Sequence, residues 1–415
     1  MQKVQPPNEY YLQDLKYAST FLPNILNALG IWLSLGKRKS ICKRLVDFFF
    51  IFLSFGLIFA VLIPGSLFWV FKGNARTRLR MSTFTMYVIG TIGKYSILIL
   101  GQDRIRRCWK YIEEDWRNVA KADARNMILE CAGVGRRLAA ICGWFYFCSG
   151  LAGRLLPLLY WGKIVDQNNV TVKLLPNPAY LFSLNMQATP VYEIMYSVQG
   201  AYGLVTVSIT ASAPGLIIVF VMHACGQLKI LMNLMREFIE EQRQKEMDKK
   251  LANIVEHQIK IRSFLELVEH AMHQISFIEI SACIGSSGKF VPIFNRWRWN
   301  MSEYCITFLQ EWNNSNSMVM IPYTIVCSSA IISMFIVCYT GNQLILQAKT
   351  ALMTCELEWY RLSDLKARQM VLLMIMSNKP IKITAGKVLD LSLKTFGNII
   401  KASLAYLNML RNVIG

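Results

Sequence analysis

The chain has 415 residues, of which 54% are hydrophobic and only 17% charged, and its formal net charge is +19. The apolar residues sit in blocks too long for a set of soluble domains, which excludes an ordinary cytosolic protein of this length. The positive charge does not indicate a nucleic-acid partner, because no aromatic-basic motif accompanies it and its distribution has another explanation.

Residues 1–44 read as a polar, basic cytoplasmic arm punctuated by Pro6, Pro7 and Pro23. They contain no compact apolar core before a small-residue cleavage site, so the first span is expected to act as its own insertion signal. The apolar blocks then run Leu45–Phe71, Met81–Leu100, Leu138–Trp161, Val191–Cys225, Phe264–Phe294 and Met318–Gln347. The last is split into Met370–Met376 and Val388–Val413. A bilayer crossing needs about 20 apolar residues, so these predict seven transmembrane helices, some of them tilted or extended beyond the membrane.

Of the 45 Lys and Arg residues, 31 lie in the segments that fall inside if the N-terminus is cytoplasmic; 11 lie outside and three within spans. This bias sets the orientation and turns the basic segments toward anionic inner-leaflet lipid. The three glycosylation sequons, at Asn169, Asn300 and Asn313, all fall on the side placed outside. The C-terminus is therefore expected outside as well.

Between the fourth and fifth blocks, residues 226–268 repeat apolar positions at helical spacing between charges, among them Leu228, Leu231, Met235, Phe238, Leu251, Ile254 and Ile261. With 349–387 they predict a cytoplasmic helical bundle beneath the spans. The organisation expected is an all-α polytopic membrane protein: arm 1–44, helices one to four in 45–225, anchor segment 226–268, helices five and six in 269–348, anchor segment 349–387 and last helix 388–415, with helices four to seven extended into the anchor bundle.

No pattern in the chain carries catalysis, and none calls for a cofactor. Cys283-Ile-Gly-Ser-Ser-Gly-Lys-Phe290 resembles a phosphate loop but lacks its first glycine and its magnesium-holding hydroxyl. His270 and His273, with Glu266 and Glu269, have metal-like spacing, but no second Glu-x-x-His completes a bundle site. The cysteines read as small core hydrophobes without a disulfide framework.

Charges inside spans are costly, about 2.5–3.5 kcal/mol at the centre. Lys94, Arg154 and Glu193 lie toward span ends and are expected to snorkel; Lys401 does not. On a helical wheel of 388–413, Lys394, Asn398, Lys401, Ala405, Asn408 and Asn412 form one polar stripe opposite Phe396, Ile399, Ile400, Leu404, Leu407 and Leu410. Such a stripe meets either permeating water or a neighbouring polar helix face. In the outer halves of the spans, aromatic and small polar residues alternate: Phe84, Tyr87 and Thr91; Phe147, Gly150 and Leu151; Met195, Gln199 and Tyr202; Tyr323, Thr324 and Cys327. Each alone reads as helix packing, and the set reads as an apolar pocket with a few hydroxyls. Burying about 300 Å² of a small volatile there contributes about 7 kcal/mol before association costs, a micromolar or weaker affinity.

Several stretches of the carboxy-terminal half, in order, resemble the insect odorant receptor family: Thr189-Pro-Val-Tyr-Glu-Ile-Met-Tyr-Ser-Val-Gln199, Cys225-Gly-Gln-Leu-Lys-Ile-Leu231, Cys338-Tyr-Thr-Gly-Asn342, Glu358-Trp-Tyr360, Asn378-Lys-Pro380, Leu391-Ser-Leu-Lys-Thr-Phe396 and Ser403-Leu-Ala-Tyr-Leu-Asn-Met-Leu-Arg-Asn-Val413. The resemblance implies a seven-helix, odour-gated, non-selective cation channel subunit in the plasma membrane of a sensory dendrite. It also implies assembly into a tetramer with the common co-receptor, an odour pocket in the outer half of the bundle, and a pore lined by the last helix. Its pore pattern puts Met409 and Val413 at the gate and Asn412 beside them, whereas the wheel centres the polar stripe on Asn408 and Asn412; the two coincide at Asn412. The ending differs from that of the co-receptor, which implies an odour-tuning subunit. A G-protein-coupled receptor requires the opposite orientation, a gustatory-type receptor usually ends in Gln-Phe rather than Asn412-Val413, and a transporter predicts internal repeats.

Overall fold

The computed structural model describes residues 8–19, 21–31, 41–71, 75–119, 121–159, 173–182, 184–240, 244–281, 317–356, 363–364, 367–369, 371 and 382–414, some of them by backbone alone. They form α1 (Tyr11–Ser19), α2 (Leu22–Ala28), α3 (Ile41–Phe71), α4 (Ala75–Leu100), α5 (Gln102–Asn118), α6 (Ala122–Leu159), α7 (Val191–Ile239), α8 (Gln244–Ser281), α9 (Ser317–Glu356), a two-stranded hairpin of β1 (Thr384–Ala385) and β2 (Leu389–Asp390), and α10 (Leu393–Ile414).

Helix α7 is the axis of the bundle. Its stretch from Ile209 to Leu228 is buried on every side, as an all-round apolar helix must be to satisfy its surface. It packs against α2, α3, α4, α6, α8 and α9. At 49 residues it is about 74 Å long, well beyond the thickness of a bilayer, and does not break at the expected span boundary after Cys225. Among the described residues, α3, α6, α7 and α9 are each long and apolar enough to cross a membrane, and α4 with α5 adds a fifth candidate bent by 62°. Helix α3 leaves Phe48, Phe49, Phe52 and Ile63 uncovered, the residues a lipid-facing surface requires.

The bend between α4 and α5 falls at Gly101. Beyond it α5 is strongly amphipathic: Ile105, Cys108, Trp109, Ile112, Asp115 and Trp116 form one buried stripe. The N-terminal arm is also packed. Leu22, Leu26, Leu29 and Ile31 are buried, and Asp14 holds Arg125 of α6 through two bonds of 2.7 and 2.8 Å. Helix α2 ends at Gly30, whose positive φ of 76° lets Ile31 N–H reach back to the Leu26 carbonyl at 2.8 Å. A side chain there would meet the Asp47 carbonyl oxygen at 2.6 Å.

The hairpin joins α10 to α8. Its turn has positive φ at both Gly386 and Lys387, as a type I′ turn requires. Glu269 of α8 accepts the Thr384 N–H at 2.8 Å and the Thr384 hydroxyl, and Gly386 N–H donates to the His273 carbonyl at 2.8 Å. Glu269 is therefore committed to the hairpin rather than to a solvated helix face. Ser392 caps α10, accepting the Thr395 N–H at 3.2 Å. The chain entering α10 lies against α9 at Gly341, where a Cβ would collide with the Leu391 carbonyl and stand 2.7 Å from its Cβ.

Candidate functional site

Two places collect the residues singled out in sequence. The first is an outer cluster between α4, α6 and α7. Phe84 and Tyr202 meet edge to face at 6.4 Å, and Tyr87 faces the same group. Gly150 of α6 packs on Val207 of α7. Arg154, one turn beyond Gly150, turns its guanidinium into the cluster instead of outward: Nη1 donates to the Gly150 carbonyl, and the group rests on Gly203, where any Cβ would coincide with it. Tyr196 O–H donates to the Arg154 carbonyl at 2.7 Å and ties α7 to α6. The expectation that Arg154 snorkels is thus corrected; the bare backbone at Gly203 makes room for the charge inside.

The remaining pocket candidates separate. Thr91 is buried but spends its hydroxyl on the Tyr87 carbonyl at 2.9 Å. Gln199 is clamped to the outer loop, donating to the Asn177 carbonyl at 2.8 Å and accepting from its N–H at 2.9 Å. Met195 and Cys327 are half-buried, whereas Phe147, Leu151 and Thr324 are exposed. The side chain of Tyr323 lies outside the described residues, as do Asn169, Asn300 and Asn313. Glu193 stays at the outer end of α7, 3.8 Å from Lys173.

Lys94 requires a second correction. It is buried in an ion pair with Glu279 of α8, which also accepts Tyr146 O–H from α6 at 2.7 Å and Ser333 O–H from α9 at 2.8 Å. Four helices share one carboxylate. No local signal marks this site, because its members are scattered over 240 positions of sequence.

The second place is α10. Phe396 meets Phe335 of α9 edge to face at 5.3 Å, Ile399 is buried, and Ile400 is half-buried. On the opposite side Lys394, Asn398, Lys401, Ala405 and Asn408 are all exposed. The apolar side thus docks on the bundle and the polar stripe is left uncovered, although Leu404 is exposed too. The side chains of Met409, Asn412 and Val413 lie outside the described residues.

A bundle of long apolar helices around α7, with a polar-striped last helix docked at its side, defines a polytopic helical membrane protein. The family model described as "7tm Odorant receptor" matches residues 74–404. The chain belongs to this odorant receptor family. It is similar to Odorant receptor 13a of Drosophila melanogaster, 24% identical over 288 residues that span 62% of each chain. In fold it is similar to the insect olfactory receptor OR5 from Machilis hrabei, solved in complex with eugenol (TM-score 0.78, 14% identity, 98% of this chain and 100% of that one) and without it (TM-score 0.77).

Proposed function

We propose that this odorant receptor is an odour-tuning subunit of a ligand-gated, non-selective cation channel, working in the plasma membrane as a hetero-oligomer with the common co-receptor. The observation that carries this reading is the uncovered polar stripe of α10. Around a symmetry axis, stripes of this kind from several subunits enclose a water-filled path, and a hydrophobic ring at its end closes it by dewetting. Asn408 and Asn412 are assigned to the polar lining, and Met409 and Val413 to the constriction. The lower parts of α7 and α8, with the segment 349–387, form the cytoplasmic anchor that holds the subunits together. Asn169, Asn300 and Asn313 face outside as glycosylation sites.

An odorant bound in the outer cluster opens the path only by binding the open state more tightly than the closed one. Phe84, Tyr87, Gly150 and Tyr202 are its nearest contacts. Met195, Cys327 and Tyr323 border them, and Thr91 and Gln199 act by holding the pocket walls. The test is whole-cell recording from cells expressing this chain with the co-receptor. A cation current evoked by a volatile and altered by substitution of Asn412 or Val413 is expected; a surface-expressed complex silent to a broad panel refutes the reading. An epitope at residue 1 that is accessible only after permeabilisation excludes a G-protein-coupled arrangement.

A further inference from the structure

Arg154 brings a permanent positive charge into the outer cluster, and among the described residues no carboxylate pairs with it. A guanidinium has five N–H donors; here Nη1 serves the Gly150 carbonyl, while the buried Nε–H has no partner. The hydroxyl of Tyr202, a residue only 2% exposed, is likewise buried and unpartnered. Tyr87 stands beside both groups, and Phe84 meets the Tyr202 ring. A guanidinium N–H and a hydroxyl that are buried without acceptors are costly. The ion-pair network around Lys94 shows how the same fold treats a charge whose partner is internal. Arg154 has no such partner, and Gly203 admits it to the interior all the same.

We propose that the outer site is built for a small monocarboxylate, an inference that rests on the ligand-gated reading above. The carboxylate accepts the Arg154 Nε–H and the Tyr202 O–H, supplying the missing counter-charge, and the hydrocarbon tail lies along Phe84 and Tyr87. A neutral ester offers the same tail and a carbonyl oxygen but leaves the guanidinium unneutralised, so the site discriminates acid from ester.

The test uses the full chain assembled with its co-receptor in lipid nanodiscs. Ligand-observed NMR measures binding of straight-chain acids from butanoate to octanoate, with benzoate and phenylacetate, each against its methyl ester at neutral pH. At least one acid is expected to bind about 30-fold or more tighter than its ester, the scale of losing one partner of a buried charge pair. Arg154→Met abolishes that preference, Arg154→Lys keeps part of it, and Tyr202→Phe reduces it, acid binding falling further than ester binding in each. The proposal is overturned if no acid exceeds its ester or if Arg154→Met keeps the preference. Should Arg154→Met fail to assemble, Arg154→Lys and Tyr202→Phe decide on the same criterion. Currents recorded in parallel separate the two readings. Neutral volatiles that gate the channel without any acid preference sink the carboxylate alone. Arg154-dependent acid binding in a complex that never conducts sinks the channel alone.

Discussion

Lys94 of α4 and Glu279 of α8, 185 positions apart, form an ion pair sealed inside the helix bundle. The hydroxyls of Tyr146 and Ser333 take further lone pairs of the same carboxylate, so the four helices agree on one rotational setting. Removing one partner leaves an uncompensated buried charge, at a cost of about 3–5 kcal/mol, whereas an apolar pair of similar volume is close to neutral. Lys94→Met is therefore expected to lower the melting midpoint of the solubilised complex sharply, and Lys94→Met with Glu279→Leu to recover most of the loss. Equal melting of the single and double variants would show that the pair is not what holds this corner.

Gly341 is required by a close approach of backbones rather than by its own dihedral angles. A methyl group there meets the Leu391 carbonyl, which cannot move aside as a flexible side chain can. Gly341→Ala is expected to destabilise by about 1–3 kcal/mol, the range for overpacking a filled contact. Because the contact supports the entry to α10, the variant should also shift the odour dose–response curve; thermal melting and recordings from one preparation check both. An unchanged melting midpoint rules out the tight approach.

Stability should fall as the inner side is acidified. Burial opposes protonation of His257 and holds its imidazole below the usual value of 6.5, only partly offset by its contact with the Gln227 carbonyl at 3.2 Å. A depressed folded value means that the contribution is fully present above pH 6.5 and is lost as pH falls below it toward the folded value. His257→Gln should flatten that limb of a melting-versus-pH curve. Asp115 acts lower. Burial raises its carboxyl, but His223 Nε2 at 2.9 Å and the Lys260 ammonium outweigh this and hold it below 3.8. Its contribution is present above that value and lost as pH drops through the folded one, so Asp115→Asn should remove stability at neutral pH and little in strong acid. A curve that is flat between pH 7 and about 5 for the parent chain contradicts the first assignment.

Cysteines introduced at Lys394, Asn398, Lys401 and Asn408 are expected to react with a charged thiol reagent and to reduce the odour-evoked current. Cysteines at Phe396, docked on α9, and at the buried Ile399 should not react. Reaction at the docked positions and silence along the stripe would mean that α10 is turned the other way in the proposed assembly.

The main elements were legible because α3, α7 and α9 carry uninterrupted apolar runs, and the stripe on α10 follows from helical spacing alone. Boundaries were less so. Helix α4 begins at Ala75 because Arg76, Arg78 and Arg80 end a membrane block but not a helix, and α7 passes Cys225 for the same reason. Helix α5 escaped notice although Ile105, Cys108, Ile112 and Trp116 keep helical spacing, since its charges placed it among cytoplasmic segments. The settings of Lys94 and Arg154 had no local sign. One depends on a glutamate of a distant helix, the other on the absence of a side chain at Gly203.

The grip of Glu269 and His273 on the hairpin fixes the inner root of α10, while toward its other end Leu404, Ala405 and Asn408 touch little. A rod held at its base and uncovered toward its far end has the geometry of a cantilever. A small tilt at the root sweeps the widest arc some 20 residues away, about 30 Å along the axis. Under the gating proposed above, a modest rearrangement near α8 would in this way be magnified where the rod emerges, and stiffening the hairpin should slow that swing.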